Sequence, residues 1–240
     1  MQDKLSRIGT LGFGFFAALL LFGCGGSGKS ALFDAATKGD RAAVEAALKQ
    51  AGANVNAKNG DNNTPLIEAA DVGNTGAAQA LLDAGADPNL FDEDKDTALH
   101  FAARKGYTEV SSAILDKGGN PNAKNENGDT PLALASSKGY YDLVVLLLKK
   151  GGDPNIREHE GWTSLHYSAD RGYLEVTQVL LANGAQPDIR NNEGMTAAAL
   201  AQKKGYRAVA DLIQSKTGGT PGGTTRIGTG VSGSPSSPAR

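Results

Sequence analysis

The chain has 240 residues, with 24 lysines and arginines against 26 aspartates and glutamates, a formal charge of −2 and a pI near 5.9. That balance, with no basic stripe anywhere, excludes nucleic acid as a partner. A single cysteine excludes an internal disulfide, so the fold has to be held by packing alone.

At the N-terminus, Lys4 and Arg7 precede an apolar run from Leu11 to Phe22. A positive start followed by so short a run reads as a secretory signal that cannot span a bilayer. Residues 1–23 are therefore read as a signal peptide and residues 24–29 as a tether. The stretch Leu21-Phe22-Gly23-Cys24 resembles the bacterial lipoprotein box, in which the signal is cut before the cysteine and the thiol is lipid-modified. The resemblance implies a lipid anchor at Cys24. In that system Asp after the cysteine retains a protein in the inner membrane, whereas here the residue is Gly25, which implies the outer membrane facing the periplasm. A lone cysteine in an exported chain calls for such an explanation. The alternative is a soluble exported protein cut nearby. Gly25 to Lys29 extends about 18 Å at most, which would hold the following domain near the lipid.

Residues 23–30 also fit the phosphate-loop pattern G-x-x-x-x-G-K-S letter for letter. Such a loop needs a strand of a parallel sheet before it and a helix after it. The remaining chain offers no further strands, and cutting the signal would sever the motif. A nucleotide-binding enzyme is therefore the remote alternative.

From Ser30 onward the chain is periodic. Thr64, Thr97, Thr130, Thr163 and Thr196 stand 33 residues apart, and Ser30 precedes them by 34. Each begins a word such as Thr64-Pro65-Leu66 or Thr97-Ala98-Leu99-His100, and nine residues later comes a glycine: Gly39, Gly73, Gly106, Gly139, Gly172, Gly205. The hydroxyl residue predicts an N-cap, and the glycine a positive φ past the helix end. A second helix follows with apolar pairs near its end, such as Leu81-Leu82 and Ile114-Leu115, then turn residues such as Gly85-Ala86-Asp87-Pro88-Asn89 that launch a hairpin. One such unit cannot bury its apolar face alone, so neighbours must stack.

These motifs resemble the ankyrin repeat family over about residues 30–216. The expected fold is an all-α solenoid of six stacked helix-turn-helix units with projecting β-hairpin loops, divided at 30–63, 64–96, 97–129, 130–162, 163–195 and 196–216. Lys95 and Asn62 occupy the positions where that family places the hairpin glycine. Residues 217–240 are rich in Gly, Ser, Thr and Pro with little to bury, and are read as a disordered tail.

Several residues invite chemistry. Asp92-Glu93-Asp94-Lys95-Asp96 opens like a calcium loop, but Thr97 stands at the required glycine and Ala103 at the required glutamate. It is expected instead to be an acidic, solvated hairpin tip. His100 and His166 lie in phase with the repeat, where the resemblance implies bonds to loop backbone and Thr hydroxyls. His159, with Glu158 and Glu160, lacks enough convergent ligands for a metal. No serine has the context of a nucleophile. The chain is therefore read as no enzyme, with no cofactor and no metal. Tyr107, Tyr140, Tyr173 and Tyr206 follow the repeat glycines and are expected to fill grooves between repeats. Trp162 is the only tryptophan, and it falls at a hairpin tip. Its expected role is a binding anchor; the alternative is that it folds onto Met195 of the next tip.

The resemblance implies a non-catalytic surface of hairpin tips and first helices that binds another protein, by a chain that is monomeric when unbound. The family's variable positions fall on Phe91, Glu93, Asp94, Asp96, Arg104 and Lys105, then Glu126, Asn127, Asp129 and Lys138. They continue at His159, Glu160, Trp162, Asp170 and Arg171, and at Glu193, Met195, Lys203 and Lys204. The most specific reading is an inhibitor or self-protection protein that binds a periplasmic cell-wall or lipid hydrolase. A periplasmic scaffold that stabilises its partner is the alternative.

Overall fold

A computed structural model describes residues 28–38, 40–51 and 53–217. The expected signal, the lipidated Cys24 and residues 218–240 of the expected tail lie outside the described residues, as do positions 23–27 of the phosphate-loop pattern.

Twelve helices occur in the described residues: α1 (Gly28–Lys38), α2 (Arg41–Leu48), α3 (Pro65–Asp71), α4 (Thr75–Asp83), α5 (Ala98–Lys105), α6 (Thr108–Asp116), α7 (Pro131–Lys138), α8 (Tyr141–Lys149), α9 (Ser164–Arg171), α10 (Leu174–Ala182), α11 (Ala197–Lys204) and α12 (Arg207–Thr217). They pair in chain order, and the pairs stack. The odd helices form one layer, α3 on α5, α5 on α7, α7 on α9 and α9 on α11; the even helices form the second. Among the described residues there is no strand, only the isolated bridges Phe91 to Thr97 and Arg190 to Thr196 at hairpin necks. The chain is thus a helical repeat solenoid, with six helix pairs among the described residues.

The local rules explain each pair. Thr64, Thr130 and Thr196 accept hydrogen bonds from the amides of Ile67, Ala133 and Ala199, closing helices too short to persist alone. Ser30 does not follow them. It lies inside α1, which begins two residues earlier at Gly28, so it does not serve as the expected N-cap. The alanines of the odd helices, such as Ala69, Ala70, Ala102 and Ala103, are fully buried and permit close approach. Leu81, Ile114, Leu147, Leu180 and Ile213 of the even helices complete one continuous core.

Coupling between repeats uses two further devices. Tyr107, Tyr140, Tyr173 and Tyr206 each lie over the glycine of the preceding repeat: a Cβ on Gly73 would stand 2.7 Å from the Tyr107 ring, and one on Gly139 would stand 3.0 Å from Tyr173. The rings therefore fill inter-repeat grooves, as the sequence predicts. The second device is an asparagine clasp. Asn89, Asn122 and Asn155 each donate to a glycine carbonyl of the next repeat, at 3.1, 2.9 and 2.9 Å. Each also accepts a backbone N–H two residues beyond that glycine, from Asn120, Asp153 and Gln186, all at 2.8 Å.

Candidate functional site

The hairpins project on the side of the odd helices. Each is closed from within by a side chain five residues before the repeat threonine. Asn59, Asn125 and Asn191 each accept two loop amides, from Asp61 and Asn63, from Asn127 and Asp129, and from Glu193 and Met195. Asp92 accepts the amide of Asp96 at 2.8 Å. Glu158 takes those of Glu160 and Trp162 at 2.9 and 2.6 Å. Where most hairpins turn with glycine, Asn62 and Lys95 adopt φ of 64° and 61°, at the two positions the sequence singles out.

Neighbouring tips are stitched by backbone. The Glu126 amide donates to the Asp94 carbonyl at 2.8 Å, His159 to Asn127 at 3.1 Å, and Asn192 to Glu160 at 2.9 Å. The tips from the second repeat to the fifth therefore form one braced rim. A rim already ordered loses little conformational freedom when a partner docks.

Glu93, Asp94, Glu126, Asn127, His159, Glu160 and Glu193 are exposed along this rim. Phe91, 48% exposed, stands beside it with the Lys58 ammonium 5.3 Å from its ring centroid. Asp92 and Asp96 overturn the expectation of a solvated acidic tip, being only 8% and 5% exposed. The Asp96 carboxylate accepts from the Arg104 guanidinium and from Asn125 Nδ2, so it braces the loop and offers little to a partner. Arg104 also leans over Phe101, 5.3 Å from its centroid.

At the far ends of the odd helices sit exposed Lys105, Lys138, Arg171, Lys203 and Lys204. Lys105 pairs with Asp71 at 2.8 Å, and Lys204 with half-buried Asp170 at 3.3 Å, each across a repeat boundary. Arg171 lies 3.7 Å from Asp170. Lys138 makes no ion pair among the described residues. Met195 is half-buried and contributes its carbonyl to His166 Nε2 at 3.2 Å. Trp162 is half-buried too, packed at 5.2 Å on Tyr167 and at 6.2 Å on His166 of the helix that follows it.

His100 is buried, and it bridges. Its Nδ1 accepts from the Thr97 amide and hydroxyl at 3.1 and 2.9 Å. Both neighbours of Nε2 are carbonyl oxygens, Ala123 and Asp129 at 3.1 Å, so Nε2 carries the proton and donates into the next hairpin. Burial holds the pKa below the ordinary imidazole range at both His100 and His166.

Three odd-helix residues on the rim side lie four after the threonine and are absent from the sequence-based site: Phe101, Leu134 and Tyr167. All are half-buried, and the Tyr167 hydroxyl donates to Asp129 Oδ1 at 3.2 Å. Their period is the available signal, as it is for the closing residue at 59, 92, 125, 158 and 191.

Helix pairs at a 33-residue spacing, capped by Thr and joined by braced hairpins, are matched by the family model for ankyrin repeats (3 copies) over residues 12–92, 87–158 and 145–220. The chain belongs to the ankyrin repeat family. Comparison with curated proteins finds no match. Ankyrin arrays are protein-interaction domains and are typically non-catalytic binding scaffolds. Among the described residues no three His, Cys, Asp or Glu side chains converge as a metal site, and no helix is long and apolar enough to cross a membrane.

Proposed function

We propose that this ankyrin protein catalyses nothing itself, and that it is a lipid-anchored envelope protein that binds a periplasmic hydrolase across its rim and odd helices and silences it. The observation that carries the binding half is the braced rim, which presents acidic tips with Trp162 and Phe91 among them. Acidic tips opposite basic helix ends suit a protein and not a polyanion. The anchored address rests on Lys4, Arg7, the apolar run and lone Cys24, and its outer-membrane part on Gly25. Because the first ankyrin match reaches back to residue 12, within that run, mass spectrometry of the N-terminal peptide decides between a lipidated Cys24 and a free thiol.

Crosslinking and affinity capture from envelope extracts, followed by an activity assay of the captured protein, tests the function. Loss of the partner's activity in a one-to-one complex supports inhibition. A partner that stays active in the complex but decays without it replaces this reading with the scaffold. Trp162→Ala is expected to weaken the complex by about 2 kcal/mol, as a central aromatic anchor does. Affinity measured by calorimetry checks it, with a thermal melt confirming that the variant folds. An unchanged affinity removes Trp162 from the centre of the interface.

A further inference from the structure

The same loop position can be compared one repeat apart. At the end of the second repeat, Asp96 is neutralised twice, by the guanidinium of Arg104 and by the Asn125 amide at 2.9 Å. Moving 33 residues along places Asp129 where Asp96 stands, Ser137 where Arg104 stands and Glu158 where Asn125 stands. Both neutralising groups have gone, and a second carboxylate has taken the place of one. Among the described residues, the Asp129 carboxylate keeps a single side-chain partner, the Tyr167 hydroxyl at 3.2 Å. Glu158 cannot swing away, because both of its oxygens hold loop amides. The Tyr167 ring in turn packs against Trp162 at 5.2 Å, tilted by 44°.

The local field agrees with this geometry. Burial raises the Asp129 carboxyl above its ordinary range; the Tyr167 bond pulls it down, and the charges of Glu158 and Asp96 push it up. Arg104, one repeat back, offsets this only in part. Burial and the charges of Asp129, Glu158 and Glu160 push the Tyr167 hydroxyl above its usual value.

We propose that this notch receives an arginine side chain of the bound protein, its guanidinium meeting the Asp129 and Glu158 carboxylates and its flat face lying on the Tyr167 and Trp162 rings. The ionic half of the contact has a counterpart within the chain, Arg104 on Asp96; Leu134 stands where Phe101 would, so the ring surface comes instead from Tyr167 and Trp162. A planar fork that stacks on aromatic rings and bonds two carboxylates is arginine's chemistry; lysine supplies the charge without the plane. Glu158 has oxygen lone pairs to spare beyond those its loop amides occupy. The inference rests on the chain being a protein binder and names what that partner presents.

Trp162 is the only tryptophan, so the emission of the full chain reports on the notch. Titration with N-acetyl-arginine amide should give a saturable change in emission, a weaker one with the lysine compound and none with uncharged citrulline. Asp129→Asn should reduce the arginine affinity about tenfold, from the lost charge-assisted bond. Ser137→Arg supplies the guanidinium from the chain itself; it should fold at least as stably as wild type and abolish the response, and it serves if Asp129→Asn fails to fold. No response to arginine, an equal response to citrulline, or a response that survives both variants overturns the proposal. Failure of the binding reading looks different. If a captured partner binds Ser137→Arg as tightly as wild type, the notch is wrong and the binder stands. If nothing is captured while the arginine compound fills the notch, the guanidinium site stands and the binder falls.

Discussion

Replacing His100 with alanine is expected to cost the fold about 4 kcal/mol, seen as a lower denaturant midpoint. The imidazole is fully buried and satisfies four groups at once: the amide and hydroxyl of Thr97, and the carbonyls of Ala123 and Asp129. Alanine leaves those groups unpaired in a dry interior and opens a cavity beside them. Two of the lost bonds hold the next hairpin, so the damage reaches the junction between the third and fourth repeats. His100 also makes stability depend on pH. An unfolded imidazole takes its proton near pH 6.5, while burial lowers the folded pKa beneath that value. The contribution is therefore complete above the unfolded pKa and is lost as pH falls through it toward the folded one. Denaturant titrations at about pH 7.5 and about pH 5.5 should show wild type weakening on acidification. His100→Gln should weaken less, with His166 supplying the remaining dependence.

Gly73→Ala should cost about 3 kcal/mol, for two separable reasons. At φ 76° an L-residue is disfavoured by about 1–2 kcal/mol. The new Cβ would also stand 2.7 Å from Tyr107 Cζ, where overpacking adds roughly 1–3 kcal/mol. Gly205 separates the two effects. It has φ 84° and, among the described residues, nothing within 4 Å of the place an added Cβ would take. Gly205→Ala should therefore cost only the backbone part, about 1 kcal/mol. Thermal or denaturant melts of the two variants check the difference, and combining Gly73→Ala with Tyr107→Ala should show strong non-additivity.

The period made the solenoid legible, because every cap, glycine and tyrosine recurs in phase with Thr64 to Thr196. Lys95 and Asn62 could be singled out for the same reason, as non-glycines where glycine is usual. The hairpin carboxylates were not legible. A run of acidic residues at a tip looks solvated by composition, yet Asp92 and Asp96 are turned inward because loop amides and Arg104 need acceptors there. Trp162 stood out as a unique residue, but its resting place on Tyr167 required a helix to be folded beside the hairpin. Tyr167 carries no signal apart from its phase, which it shares with Leu134 and Phe101. The lost neutralisation of Asp129 emerges only when Ser137 and Glu158 are placed against Arg104 and Asn125 in space.

The asparagine clasp grips only main-chain groups of the following unit, a glycine carbonyl and an amide two residues on. Asn89 is consequently indifferent to which unit comes next, and removing residues 130–162 whole would hand Asn122 the carbonyl of Gly184 and the amide of Gln186 in place of those of Gly151 and Asp153. Gly106 would likewise meet Tyr173 in place of Tyr140. Connection between modules is thus written in a few residues that recur in every unit and in the backbone they grip, while recognition is written in the variable side chains at the tips. Lineages that shuffle whole units can rewrite the second text without disturbing the first, and a change of a single residue in unit length cannot.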